Sequence, residues 1–219
     1  MRNREATLTL SVETAEQAVT VENLLLREMS HRVNNEFSSA IGLLSVAASR
    51  STCDEAQAAL TAVQEQLQNH VAVHHSLQMP EYDTSIDLGA YLQRLCRAIS
   101  RSKLEPRKID LSLSLYPVQM SSERCWLLGM IVFELITNSA RHAFAGRCGA
   151  IRLELFPNGQ FVECRISDDG ASDADAQAGC GLKIVEALAR RLSGDVNVQF
   201  GANGTLSTIL FRKDVRGIA

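Results

Sequence analysis

Aromatic side chains are scarce in this chain of 219 residues: Phe, Trp and Tyr make up 5%, with one tryptophan. So few rings argue against a stacking platform for single-stranded nucleic acid. An excess of positive charge is missing too. Against 22 Lys and Arg stand 25 Asp and Glu, a net charge of −3, so neither nucleic acid nor an anionic membrane has an electrostatic case. No apolar run approaches the ~18–20 residues of a membrane span. The opening M-R-N-R-E-A-T-L-T-L lacks the apolar core of a secretion signal. The six cysteines, at positions 53, 96, 125, 148, 164 and 180, contain no C-x-x-C pair and no regular spacing. That points to reduced, mostly buried thiols rather than disulfides or zinc ligands. A cytoplasmic, soluble protein is expected.

What is present is an ordinary soluble composition, 46% hydrophobic and 21% charged, long enough for one large domain or two small ones. Residues 1–13 read as an arm in which T-L-T-L-S-V alternates like a short strand, leaving no room for a sensory domain of ~100 residues before the first long helix. That helix spans Thr14 to Arg50, free of proline, with apolar residues Leu26, Met29, Val33, Phe37, Ala40, Leu44 and Ala47 at bundle-type spacing. After R-S-T-C-D-E, Thr52 and Glu55 fit a capping box. A second helix follows, with Ala56, Leu60, Val63, Leu67, Val71 and Leu77, and stops near Pro80. The short turn predicts an antiparallel helical hairpin over 14–80, whose seam needs more cover: a homodimeric four-helix bundle, or packing on its own second domain.

M-P-E-Y-D-T-S is the expected linker. Beyond it, helices are expected at 87–100, 121–144 and 182–192, and strands at 108–115, 150–156, 160–167, 195–200 and 205–211. Pro157-Asn158-Gly159 and G-A-N-G mark hairpins. The segregated pattern predicts an α+β two-layer sandwich rather than a doubly wound sheet.

Within that domain, I-V-F-E-L-I-T-N-S-A-R-H-A-F (131–144) reads as an amphipathic helix. Glu134, Asn138, Arg141 and His142 fall along its polar side. It is either a plain surface helix or a nucleotide site, in which the amide takes a hard cation and the arginine takes phosphates. Three later signals bear on the choice. Asp168-Asp169-Gly170 ends a strand, Gly179-Cys180-Gly181-Leu182-Lys183 opens a helix, and Gly204-Thr205 opens the last strand. Glycines ahead of a helix let backbone N–H groups approach a phosphate, and a carboxylate at a strand end can accept an amine hydrogen bond. Singly each is turn chemistry; together and in order they are a pattern. His31 lies about 200° around the helix from Met29 and Val33, so it faces solvent with a nucleophilic nitrogen available near neutral pH. His70 and His74 sit one turn apart, a spacing that serves packing better than a metal, since no third ligand is evident.

The order E-x-x-x-N, D-x-G, G-x-G-L, G-T resembles the GHKL-type (Bergerat) ATP-binding domain of histidine kinases and type II topoisomerases. L-L-R-E-M-S-H-R-V-N-N-E-F (25–37) resembles the phosphoacceptor box of the H-R-x-x-N (HWE-like) histidine kinases. The resemblance runs from about residue 22 almost to the end. It implies a dimerisation and phosphotransfer domain over 14–80 and an ATP-binding catalytic domain over 87–213. By matching position, Asp168 with Gly170 reads adenine, Thr205 lies near it, and Asn138 holds Mg²⁺. Gly179, Gly181 and Leu182 form the phosphate turn, Arg141 or His142 contacts phosphates, and Glu134 polarises a group near the γ-phosphate. His31 is then the acceptor, and Asn35 orients water or a receiver carboxylate. The implied activity is ATP-dependent autophosphorylation, transfer to a response-regulator aspartate, and possible phosphatase action, with a separate protein as sensor. A phosphotransfer adaptor with a relic ATP domain and an anti-sigma-type serine kinase are the alternatives. The chain departs from the pattern at Asp168-Asp169-Gly170-Ala171-Ser172, which lacks a second glycine, and at Asn34 and Glu36 in the box.

Overall fold

The computed structural model describes residues 28–80, 82, 84–171, 180–201 and 203–213. The protein is α+β, a helical hairpin followed by a helix-covered sheet, and forms two compact units, Met1–Leu67 and Gln68–Ala219.

In the first unit α1 runs over residues 28–50, and α2 (Asp54–Ser76) starts after three connecting residues and continues past Leu67 into the second unit. The turn is closed by Ser51, whose hydroxyl accepts from Cys53 N and donates to Cys53 O. Helix α2 begins at Asp54, so Thr52 lies outside it; Asp54 and Glu55 supply the first-turn negative charge that suits a helix N-terminus. Helix α1 buries or half-buries Ser30, Asn34, Phe37, Ile41, Leu44 and Ala48, while α2 half-buries Leu60, Gln64 and Leu67. This corrects part of the seam expected on α1: Phe37, Ala40 and Leu44 are half-buried as expected, and its other described members are not. Met29 is 63% and Val33 39% exposed, and Ala47 is exposed with them, as are Leu43, Val46 and Val63. Helix α1 carries two apolar stripes side by side, and only one can turn inward. The inward stripe includes Asn34, 7% exposed, whose Oδ1 has no hydrogen-bond partner among the described residues. The expected start at Thr14 and the strand at 7–12 lie outside the described residues.

The second unit is a two-layer sandwich. Its elements are β1 (Ser85–Asp87), α3 (Leu88–Ile99), β2 (Ile109–Leu115), β3 (Gln119–Ser121), α4 (Ser122–His142), β4 (Gly149–Asn158), β5 (Phe161–Asp168), α5 (Cys180–Arg191), β6 (Gly194–Gly201) and β7 (Gly204–Arg212). Strands β2–β4–β5–β7–β6 form one sheet, and β1 pairs with β3 in a two-stranded ribbon absent from the sequence reading. The hairpins are antiparallel as expected, but β2 pairs with β4 in parallel, Ile109 opposite Gly149 through Leu115 opposite Leu155. A parallel neighbour needs a crossover, and α4 provides it.

Strand β4 buries Ile151, Leu153 and Leu155 toward the helices while Arg152 and Glu154 face away. Onto that inner face α3 lays Leu88, Leu92, Leu95 and Ile99, spaced four, three and four and without solvent exposure. Helix α4 adds Leu128, Ile131, Val132, Leu135 and Ile136. Gly129 weakens α4 by about 1 kcal/mol, but a Cβ there would collide with the Tyr91 ring crossing from α3. The Tyr91 hydroxyl then donates to Ser76 O at 2.9 Å, and the Trp126 indole donates to Leu77 O at 2.8 Å. Two ring donors thus satisfy carbonyls at the end of α2 that the helix itself leaves open.

Burial pushes the Cys96 thiol up to about 12 and the Cys164 thiol higher still. Cys125 is buried with them, whereas Cys53 and Cys148 are exposed. At pH 8 the native protein should therefore modify Cys53 and Cys148 quickly with a disulfide reagent. Cys96 and Cys164 should react only after denaturation; native-state mapping of the label by mass spectrometry checks this.

Candidate functional site

The site grows from α4. Ser121 caps the helix by accepting from Arg124 N, and Ser122 clasps the preceding segment, accepting from Thr84 N and donating to Tyr82 O. With the apolar face of α4 committed to the sheet, its other residues must turn elsewhere. Glu134, Asn138 and Ser139 are half-buried, while Arg141 and His142 are exposed on the last turn.

Asp168, at the end of β5, is 8% exposed. Its Oδ1 accepts backbone N–H groups from Gly170 and Thr205, each at 3.2 Å, and its Oδ2 accepts the Ser139 hydroxyl at 2.7 Å. Three donors from α4, the post-β5 turn and β7 converge on one carboxylate. Asp169 faces the other way: its Oδ1 accepts Ala150 N at 2.7 Å and its N–H donates to Ala150 O. Adjacent aspartates thus do different jobs, one pointing into the site and one tying the turn to β4. Oδ2 of Asp168 retains an acceptor lone pair for a ligand amine.

Close approach explains the glycines. A Cβ on Gly204, whose φ is +123°, would overlap the Asp168 carbonyl oxygen, and one on Gly170 would overlap Ala143. A Cβ on Gly181 would stand 3.0 Å from Asn138 Nδ2 and 3.5 Å from Glu134 Oε2. The start of α5 therefore presses against the polar face of α4, and Glu134, Asn138 and Gly181 form a second cluster. Asn138 and Ser139 are neighbours on α4, so the two clusters are contiguous.

Of the residues expected from sequence, the structure gathers Asp168, Gly170 and Thr205 around the carboxylate, and Glu134, Asn138 and Gly181 beside it. Thr205 serves through its backbone N–H; Leu182 is half-buried next to Gly181. Gly179 lies outside the described residues. His31 and Asn35 are both exposed on α1, in the first unit. Ser139 was missed. It follows Asn138 directly, and the one available signal was a small hydroxyl at the flank of the apolar stripe.

These groups fit a purine nucleotide: an ionisable acceptor with a free lone pair, glycines allowing close backbone approach, and an amide at the start of a helix. Among the described residues no group of three or more His, Cys, Asp or Glu could hold a metal. A hard cation completing its shell with phosphate oxygens needs only one or two protein oxygens, and Asn138 with Glu134 can supply them. Among the described residues no helix is long and apolar enough to cross a membrane.

Residues 28–103 match a family model described as histidine kinase. The chain is 27% identical over 197 residues to blue-light-activated histidine kinase 2 of Erythrobacter litoralis, covering 84% of this chain and 56% of that protein. It is 22% identical over 211 residues to the sensor histidine kinase PdtaS of Mycolicibacterium smegmatis, covering 91% and 41%. The chain spans about half the length of the curated relatives it matches. In fold it is similar to the histidine kinase domain of an Erythrobacter litoralis blue-light activated histidine kinase, with a TM-score of 0.58, 22% identity, and 80% of this chain and 95% of that one covered. Residues 28–103 are thus similar to the histidine kinase family model, and most of the chain is similar in sequence to these two histidine kinases.

Gly204→Ala tests how closely the site is packed. Overlap with the Asp168 carbonyl, added to the unfavourable φ, should cost about 1–3 kcal/mol in denaturant unfolding. Gly159→Ala, at a turn with open space around its missing Cβ, should cost less.

Proposed function

We propose that this protein is an ATP-dependent histidine kinase whose second unit binds Mg²⁺-ATP and whose His31 accepts the γ-phosphoryl group. The observation that carries the reading is the Asp168 carboxylate, anchored by Ser139, Gly170 and Thr205 beside the Glu134–Asn138–Gly181 cluster. Asp168 would accept the adenine amine on its open lone pair. Asn138 would hold Mg²⁺ through its amide oxygen, and the ion, when bound, neutralises phosphate charge. Gly181, with Gly179, would let backbone N–H groups meet the phosphates at the start of α5. Arg141 and His142 are exposed and free to approach those phosphates, and Glu134 would polarise a group near the γ-phosphate.

An imidazole nitrogen of His31 would then attack the γ-phosphorus in line. The N–P bond forms as the bond to the β–γ bridging oxygen breaks, and ADP leaves with the electron pair. The phosphoryl group would pass from that nitrogen to an aspartate oxygen on a response-regulator receiver domain. Exposed Asn35, one turn on from His31, would orient that carboxylate, or a water when the protein acts as a phosphatase. The exposed stripe of Met29, Val33, Leu43 and Val46, with Val63 on α2, supports a homodimer in which a second hairpin covers it. Free thiols, two of them exposed, suit a cytoplasmic location.

Incubation with γ-labelled Mg²⁺-ATP tests the reaction. Acid-labile, alkali-stable label should appear in the wild type, and be absent from His31→Gln and Asn138→Ala proteins that keep their fold. Acid-stable label persisting in His31→Gln would indicate a serine kinase instead. Ser139→Ala should raise the Kd for ATP about 5- to 10-fold, the loss of about one hydrogen bond on the anchoring carboxylate. Leu43→Glu should shift the protein from dimer toward monomer in analytical ultracentrifugation.

A further inference from the structure

A chain with a net charge of −3 nonetheless concentrates positive charge in one place. Between Arg94 and Lys108, 15 residues hold six cations, at 94, 97, 101, 103, 107 and 108, and one acid, Glu105. Two are engaged: Lys103 sits over the Phe133 ring, and Arg107 donates to Ala140 O. Arg94 and Arg97 on α3 and Arg101 on the π-helical turn Ser100–Leu104 that follows it are exposed and form no ion pair among the described residues; Arg94 borders Ser76 and Tyr91, apart from the other two. Arg97 and Arg101 line a groove of about 260 Å³ with Cys96, Ser100, Leu111, Leu113 and one acid, Glu105, whose carboxylate accepts the Ser100 hydroxyl. The groove runs beside β2, an edge of the five-stranded sheet, with β4 on its other side.

An edge strand presents unpaired N–H and C=O groups, and proteins commonly guard such edges with charges on the strand itself. Here the strand carries one charge, Asp110, with Ser112 and Ser114 otherwise on its outer positions. The cations stand instead on the helix across the groove, and Leu111 and Leu113 stay half-buried. Backbone acceptors and donors, leucines and a flanking row of guanidinium groups are the three things an extended peptide with alternating apolar and acidic side chains would use. A phosphate backbone or lipid headgroup would use the arginines but neither the strand edge nor the leucines.

We propose that the β2 edge and the Arg97–Arg101 row form a docking site for an extended acidic segment of a partner protein, added to the sheet as a sixth strand. The nucleotide site shares no residue with it, so the inference stands apart from the kinase reading.

The test uses the full chain and a fluorescein-labelled octapeptide alternating Glu and Val, read by anisotropy and by hydrogen–deuterium exchange. Binding should slow exchange in 109–115. It should weaken at least tenfold in Arg97→Glu/Arg101→Glu, and less in Arg97→Gln/Arg101→Gln. It should vanish for the Lys–Val peptide and for a Glu–Val peptide N-methylated at alternate positions. Equal binding of the N-methylated peptide would remove strand addition and overturn the proposal. So would no protection of 109–115 at millimolar peptide, or protection produced instead by duplex DNA or phosphatidylserine vesicles.

Discussion

The Asp168 carboxylate is the point on which the second unit's architecture and its candidate site both turn. It closes β5, receives a hydroxyl from α4 and a backbone N–H from β7, and takes a third donor from its own turn. A carboxylate so buried would be costly without those donors. With them it becomes a rigid acceptor whose position is set by three elements far apart in sequence. Gly204 and Gly170 follow from the same constraint, because the elements bearing the donors must approach to distances a Cβ would forbid.

Helix α4 links that carboxylate to the rest of the protein. Its apolar stripe seals the core, the helix itself makes the parallel crossover between β2 and β4, and its polar flank offers Glu134, Asn138 and Ser139 to the candidate site. Core packing and the candidate site's polar groups are therefore carried by adjoining faces of one helix. The arrangement is coherent with a site that binds a nucleotide through a few fixed polar groups and leaves charged side chains, Arg141 and His142, exposed at its rim.

The first unit follows different physics. Its helices are held by stripes of modest side chains, with Asn34 a buried polar group whose Oδ1 meets no partner among the described residues. Part of the expected seam was displaced because Met29, Val33, Ala47 and their neighbours form an apolar stripe as good as the one that turned inward. Periodicity identifies stripes; it does not say which partner each will meet. A second stripe left in solvent is what a further helix pair would cover.

Much was legible from sequence alone because it depends on local periodicity. Strand patterns and the turns between them marked β2, β4, β5, β6 and β7. Three-and-four spacing marked α3, α4 and α5, and Asn158-Gly159 marked a tight turn. The glycines and acids of the site were readable as an ordered set, since turns and helix starts constrain residue type locally. Tertiary structure alone decided the parallel β2–β4 pairing, the β1–β3 ribbon, the opposite roles of Asp168 and Asp169, and the recruitment of Ser139. Each of those depends on which backbone arrives from elsewhere in the chain, and no window of sequence contains that information.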